Sequence, residues 1–198
     1  MGKQFIIAIG RLYGSDGKDI GRAIAEELSV PFYDRNIIEH VAEEMQVDAE
    51  HLKKYEEKKR KLFLSRTVKG HSNAPEDHVA NHQFDYIRRL ADSGESFVIV
   101  GRCAESVLKD KEGLIKIFVT GDRNTRIKRV MEKFSLSKAK ATEKMDRHDR
   151  TRKAYHNYYS DTRWGDPEVY DICINSSKLG IEKTAKALLR YIRDRIAE

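Results

Sequence analysis

The chain has 198 residues, 39% hydrophobic and 35% charged, which is long enough for one domain with a substantial core and too apolar for a disordered chain. Its 38 Lys and Arg against 32 Asp and Glu leave a net charge of +6, which points to anionic partners. No apolar run approaches the roughly 18 residues that span a bilayer, and "FIIAI" at 5–9 is too short for a secretory segment. The expectation is a globular cytoplasmic protein without membrane contact, with Cys103 and Cys173 as core thiols rather than a disulfide framework or zinc site.

In chain order, "KQFIIAIG" is a short apolar run closed by glycine, the pattern of a strand buried on both faces of a parallel sheet. A glycine-rich turn, "GRLYGSDGKDIG", leads into a helix that runs to about Leu28. "VPFYD" predicts a second strand, and "RNIIEHVAEEM" a helix with Ile37, Ile38, Val41 and Met45 on one face. From Asp48 to about Lys69 the chain is polar and helix-prone, with Leu52, Tyr55, Leu62 and Phe63 dispersed, and "GHSNAPED" interrupts it. This predicts a helical excursion with a mobile loop. "HVANHQFDYIRRLADSG" predicts a helix ended by Gly94, "SFVIVG" a strand, "RCAESVLKD" a short helix and "GLIKIFVTG" another strand, followed by "DRNTRIKRVMEKF". "SLSKAKATEKMDRHDRTRKAYHNYYS" reads as two basic helices, "YDICIN" as the last strand and "GIEKTAKALLRYIRDRIA" as an amphipathic helix. Strands alternating with helices predict a parallel α/β sheet covered on both faces.

In such a sheet the turn after the first strand is a natural phosphate seat, because the helix N-terminus offers free amides and a positive dipole. The strict pattern G-x-x-x-x-G-K-[ST] would need glycine at Leu12 and a hydroxyl at Asp19, and G-x-G-x-x-G does not fit glycines at 10, 14, 17 and 21. Gly14, Ser15, Asp16 and Gly17 can still turn their amides inward as an anion nest beside Lys18. The alternative is a turn that only redirects the chain. Asp16 would repel a phosphate unless it turns outward or holds a cation.

Further along, Arg147 and Arg150 of "DRHDRTR" are three apart and share a helix face, with Arg152 to one side. They read equally as a basic lid over phosphates or as a solvated helix. Arg126 and Arg129, also three apart, are weaker candidates for that role and read as surface, as do the histidines, among them His148 and His156. Asp34 suits a helix N-cap. The aromatics of "YHNYYSDTRW" could stack a base or pack a helix against the sheet.

Three separated blocks, "IAIGRLYGSDGKDIGRAIAEELSVPFYDRNII", "VIVGRCAESVL" and "DRTRKAYHNYYSDTRWGDPEVYDICINSSKLGIE", resemble the cytidylate kinase-like family, a branch of the P-loop nucleoside monophosphate kinases. The resemblance covers nearly the whole chain except about 46–80. It implies a three-layer α/β/α P-loop kinase fold with a five-stranded parallel sheet, as one domain over 1–198. A helical acceptor-side insertion would occupy about 35–93 and a lid about 135–165. The implied activity is ATP-dependent transfer of the γ-phosphoryl group to a cytidylate-like nucleoside monophosphate or a related small acceptor, with ATP and Mg²⁺. The implied donor-phosphate residues are Gly10, Arg11, Gly14, Ser15, Asp16, Gly17 and Lys18, and the implied catalytic residues are Lys18, Arg147, Arg150 and Arg152. Asp34, Arg35 and Arg102 would hold the acceptor, with no metal ligand from the protein. The family usually reads G-R-x-[YF]-G-S-G-G in the first loop, where this chain has Asp16 for the third glycine, and often carries aspartate where this chain has Val100. Nucleotides are the implied partners, and homo-oligomers are compatible with the pattern. The rival readings are a nucleotide-binding regulator without catalysis and a basic nucleic-acid binder.

Overall fold

The computed structural model describes residues 3–55, 67–68, 71–72 and 74–197. Along the chain the elements are β1 (Ile6–Arg11), α1 (Gly17–Leu28), β2 (Phe32–Tyr33), α2 (Ile37–Met45), α3 (Ala49–Lys53), β3 (Thr67–Val68) and β4 (His71–Ser72). They continue with α4 (Pro75–Asp92), β5 (Phe97–Val100), α5 (Ala104–Val107), β6 (Leu114–Thr120), α6 (Arg123–Phe134), α7 (Lys138–Tyr159), β7 (Ile172–Asn175) and α8 (Ser176–Ile196).

The main sheet has five strands in the order β2-β5-β1-β6-β7, all parallel. β1 lies at its centre, with Ile9 beside Val100 on one side and Ile117 on the other. Because side chains alternate across a strand, Ile7 and Ile9 pack with Ile20 and Ile24 of α1 and Leu188 and Ile192 of α8. Ile6 and Ala8 face the opposite layer of Ile37, Ile38 and Val41 from α2 and Ile87 from α4. Two buried faces explain why β1 reads as a continuous apolar run rather than an alternating one. The sheet is thus the expected α/β/α arrangement, and the carboxyl ends of β1 and β5 open onto the loops that carry the arginines and glycines singled out above.

Four expectations change. The basic stretch after Phe134 forms one helix, α7, not two: Ser137 caps its start by accepting from the Lys140 amide, and no glycine or proline interrupts it before Tyr159. α4 begins at Pro75, earlier than the apolar spacing indicated, because proline fits the first helical turn, where its missing N–H is not needed. Thr67–Val68, at the end of the expected helical excursion, and His71–Ser72, in the expected loop, form a small antiparallel pair; Leu62 and Phe63 lie outside the described residues. Cys103 is buried as expected, but Cys173 is exposed, because β7 is the edge strand.

Candidate functional site

The chain leaves β1 at Arg11 and turns sharply before α1. Gly14 sits at φ +76°, and a Cβ there would stand 2.9 Å from the Arg126 carbonyl oxygen, so the position requires glycine. Ser15 is fully buried: its Oγ donates to the Leu12 carbonyl at 2.8 Å, while Ser176 Oγ donates to the Ser15 carbonyl at 2.7 Å. Asp16, in the left-handed region at φ 57°, occupies the N-cap of α1 without capping it. The first N–H groups of a helix have no intrahelical acceptor and carry its positive dipole end. Over them lies a cavity of about 220 Å³, lined by Arg11, Gly14, Gly17, Lys18, Arg35, Arg129 and Arg152 among others.

The Asp16 carboxylate turns away from α1 to Arg129 of α6, whose Nε lies 2.9 Å from it. Arg129 also donates to Ser176 Oγ at 3.0 Å, the Ser176 carbonyl at 3.3 Å and the Gly14 carbonyl at 3.4 Å. Burial pushes the Asp16 carboxyl above the usual carboxylate range, with Arg129 pulling the other way. Arg126 is buried, so its reading as a surface residue is corrected. It donates to the Tyr13 carbonyl at 3.1 Å, the Gly121 carbonyl at 3.1 Å and Asp149 at 2.7 Å. The sequence ranked both arginines below those of "DRHDRTR" because nothing in the spacing shows that α6 presents this i, i+3 pair to the phosphate loop rather than to solvent. The signal was Asp16 itself, an acid that needed a cation.

From the other side α7 grips the same loop. Asp149 accepts the Tyr13 N–H at 2.7 Å, and the His148 ring stacks on Tyr13 with centroids 4.3 Å apart and planes within 4°. Arg152 donates to the Arg11 carbonyl at 3.4 Å, and its guanidinium lies 5.4 Å from the Tyr13 ring centroid. Of the expected lid arginines the structure brings Arg152 to the loop, while Arg147 and Arg150 are exposed. Neither His148 nor His156 fits the surface reading. Burial, with the charges of Arg152, Lys144, Arg147 and Arg35, pushes the His148 imidazole down to about 4. His156 is buried with its Nε2 at 2.6 Å from Glu105.

Facing the loop, Lys18 forms an ion pair with Asp34. Burial pushes the Asp34 carboxyl up, but the hydrogen bond and charge of Lys18, with the amides of Asn36 and Arg35, outweigh it and hold its pKa below the usual range. Asp34 is not the N-cap of α2; Asn36 holds that place, and its Oδ1 accepts the Asp34 N–H at 2.8 Å. Arg35 is exposed and lines the same cavity, as does Val100. Arg102, at φ 61°, is buried behind the open cleft. It lines a second cavity of about 20 Å³, shared with Arg11, Arg152, Glu105, His156 and Tyr170, which is room for about one water. Arg11 and Arg152 line both cavities and form the partition between them. Of the aromatics of "YHNYYSDTRW", Tyr155 packs with Ala80, Phe84 and Cys103 and Tyr159 donates to Asp77 at 2.6 Å, while Tyr158 is exposed.

Among the described residues no group of three or more His, Cys, Asp or Glu is placed to hold a metal ion, and no helix is long and apolar enough to cross a membrane. A family model described as the cytidylate kinase-like family matches residues 6–178. The structure of an uncharacterized protein from Eubacterium ventriosum is similar at 34% identity and a TM-score of 0.76, over 96% of this chain and 99% of that one. A shikimate kinase from Bacteroides thetaiotaomicron shares the fold at 12% identity and a TM-score of 0.57, over 98% and 99% of the two chains. So does one from Acinetobacter baumannii, in complex with shikimate, at 13% identity and a TM-score of 0.55, over 97% and 94%. No curated protein matches the chain.

Proposed function

The chain belongs to the cytidylate kinase-like family, and from that premise we propose that it is an ATP-dependent phosphotransferase acting on a cytidylate-like nucleoside monophosphate or a related small anionic acceptor. The observation that carries this reading is the uncapped N-terminus of α1, facing a cavity of about 220 Å³ lined by guanidinium groups. Phosphoryl transfer asks the protein chiefly for positioning and for positive charge around the moving group. In this reading the amides of Gly14 and of Asp16 to Lys18 hold the donor phosphates, the Ser15 amide being bonded to the Leu12 carbonyl. Arg129 supplies the cation that the strict P-loop pattern would place on a lysine in the loop, with Asp16 as its counter-ion.

Lys18 and Asp34 bridge the donor and acceptor sides. Arg152, in the partition between the two cavities, neutralises charge on the group in transit. Arg35 meets the acceptor at the open side, and Arg102 at the back once the partition moves. Arg147 and Arg150, exposed on α7, would serve only after a further movement of that helix. Asp16, Asp34 and Asp19 are paired with Arg129, Lys18 and Lys133, so the described residues offer no preformed metal site, and Mg²⁺ would be held chiefly by the nucleotide's oxygens and water, with Asp19 in the first turn of α1 as the partly exposed carboxylate beside them. When bound, Mg²⁺ would neutralise charge between the donor phosphates.

A second reading, a nucleotide-binding regulator without catalysis, is favoured by Val100, an apolar residue lining the cavity where family members often carry a carboxylate. Both readings meet one experiment: ATP consumption with CMP, dCMP, UMP, AMP and hydroxy-acid acceptors. Acceptor-dependent ADP release that falls about 100-fold in Arg152→Ala supports the transferase. ATP binding without turnover on any acceptor supports the regulator.

A further inference from the structure

Among the described residues, Val47, Tyr158, Leu179 and Ile181 are large apolar side chains exposed away from the cleft, whereas Phe134, 42% exposed, lines the cavity over the α1 N-terminus. Scattered exposed apolar residues are ordinary. A ring left open in the same cavity as a phosphate loop is not explained by packing. Phe134 ends α6, and Ser135 stops that helix in the left-handed conformation at φ 50°, which fixes where the ring emerges. Its neighbour Lys133 lies 3.9 Å from Asp19 in the first turn of α1, so the ring stands within a nucleotide's length of the proposed phosphate seat.

The Phe134 and Tyr13 rings are nearly parallel, 14° apart in plane, with centroids separated by 6.5 Å. Favourable carbon contacts lie near 3.5 Å, so a planar ring between two parallel rings needs about 7 Å. The observed spacing is within a small movement of that value. Tyr13 is held in its orientation by the His148 stack and by the Asp149 carboxylate on its amide. On Phe134, the Lys144 ammonium lies 4.5 Å from the ring centroid, a cation–π contact that attaches α7 to the same platform.

We infer that Phe134 and Tyr13 form the stacking site for the heteroaromatic ring of the donor nucleotide, an inference that rests on the α1 N-terminus holding its phosphates. Stacking on an aromatic face is tolerant of base identity, so this site recognises a planar ring next to a polyphosphate and does not discriminate adenine from guanine.

The test is calorimetric titration of the full chain with ATP, GTP and inorganic tripolyphosphate, for the parent, Phe134→Ala and Phe134→Trp. Removing the ring is expected to weaken ATP and GTP about 10-fold. Tripolyphosphate binding is expected to stay unchanged, and Phe134→Trp to bind ATP at least as tightly as the parent. Unchanged ATP affinity in Phe134→Ala, or equal losses for ATP and tripolyphosphate, would overturn the stacking site while leaving the phosphate seat standing. A parent chain that binds neither ATP nor tripolyphosphate would overturn both.

Discussion

The phosphate-loop wall of the cleft is braced by Arg126 and Arg129 from α6, Asp149 from α7 and Ser176 from α8, each bonded to loop backbone or to a loop side chain. The opposite wall, at Asp34 and Arg35, follows a two-residue strand and meets the loop wall through the Lys18–Asp34 ion pair. One side is therefore preorganised and the other adjustable. That division suits a transfer in which the polyphosphate is always the same and the acceptor is what distinguishes one kinase from another.

The sharpest way to break this comparison is to remove one partner on each wall. Arg126 is buried and its carboxylate partner Asp149 partly so, so Arg126→Ala leaves a poorly solvated, uncompensated charge against the loop and is expected to destabilise the fold by about 3 kcal/mol. Lys18 is half-exposed, so Asp34→Asn is expected to lose less than about 1 kcal/mol. Urea denaturation of the two variants measures the difference; equal losses would mean that the walls are equally rigid.

A smaller effect separates charge from bracing within the loop wall. Arg129→Ala leaves the Asp16 carboxylate beside incoming phosphates without its cation, and the affinity for ATP is expected to fall about 10-fold, as for loss of a charge-assisted contact. Asp16→Gly suits the left-handed backbone at φ 57° and removes the repulsion. In the Arg129→Ala background it is expected to recover part of the loss, giving a coupling of about 1 kcal/mol in a double-mutant cycle. Additive effects by titration calorimetry would show that the pair is structural bracing alone.

The sheet was legible in the sequence because "FIIAI" and "FVIV" are apolar at every position and "LIKIFVT" at all but Lys116 and Thr120, the near-continuous pattern of strands covered on two faces. The phosphate loop was legible from its glycines and its place after β1. The bracing was not. Arg126 and Arg129 look like any solvated i, i+3 pair until the packing of α6 on the loop is known, and Asp149 is one acid among basic residues. Arg102 sits in "GRC" as expected, yet its left-handed backbone sends it behind the cleft, a consequence of φ 61° that residue spacing does not encode.

The smallest effect tests the loop wall through its protons. In the unfolded chain His148 titrates near its ordinary value of 6.5, whereas in the fold burial first, then Arg152, Lys144, Arg147 and Arg35, hold it at about 4. Between those values the unfolded chain binds the proton and the folded chain does not, so stability falls as pH drops through that window and rises again with pH. The contribution is whole above the unfolded value and lost toward the folded one. His148→Phe keeps a ring on Tyr13 and removes the proton, so its urea midpoint should lose less than the parent's between pH 7 and 4.5. The Asp34 carboxylate, held below its usual range by Lys18, contributes above that range and is lost only as the pH falls through its depressed value. Asp34→Asn should therefore leave the slope from pH 7 to 4.5 as it is in the parent. A His148→Phe variant with the parent's slope would place the acid-sensitive contact outside the loop wall.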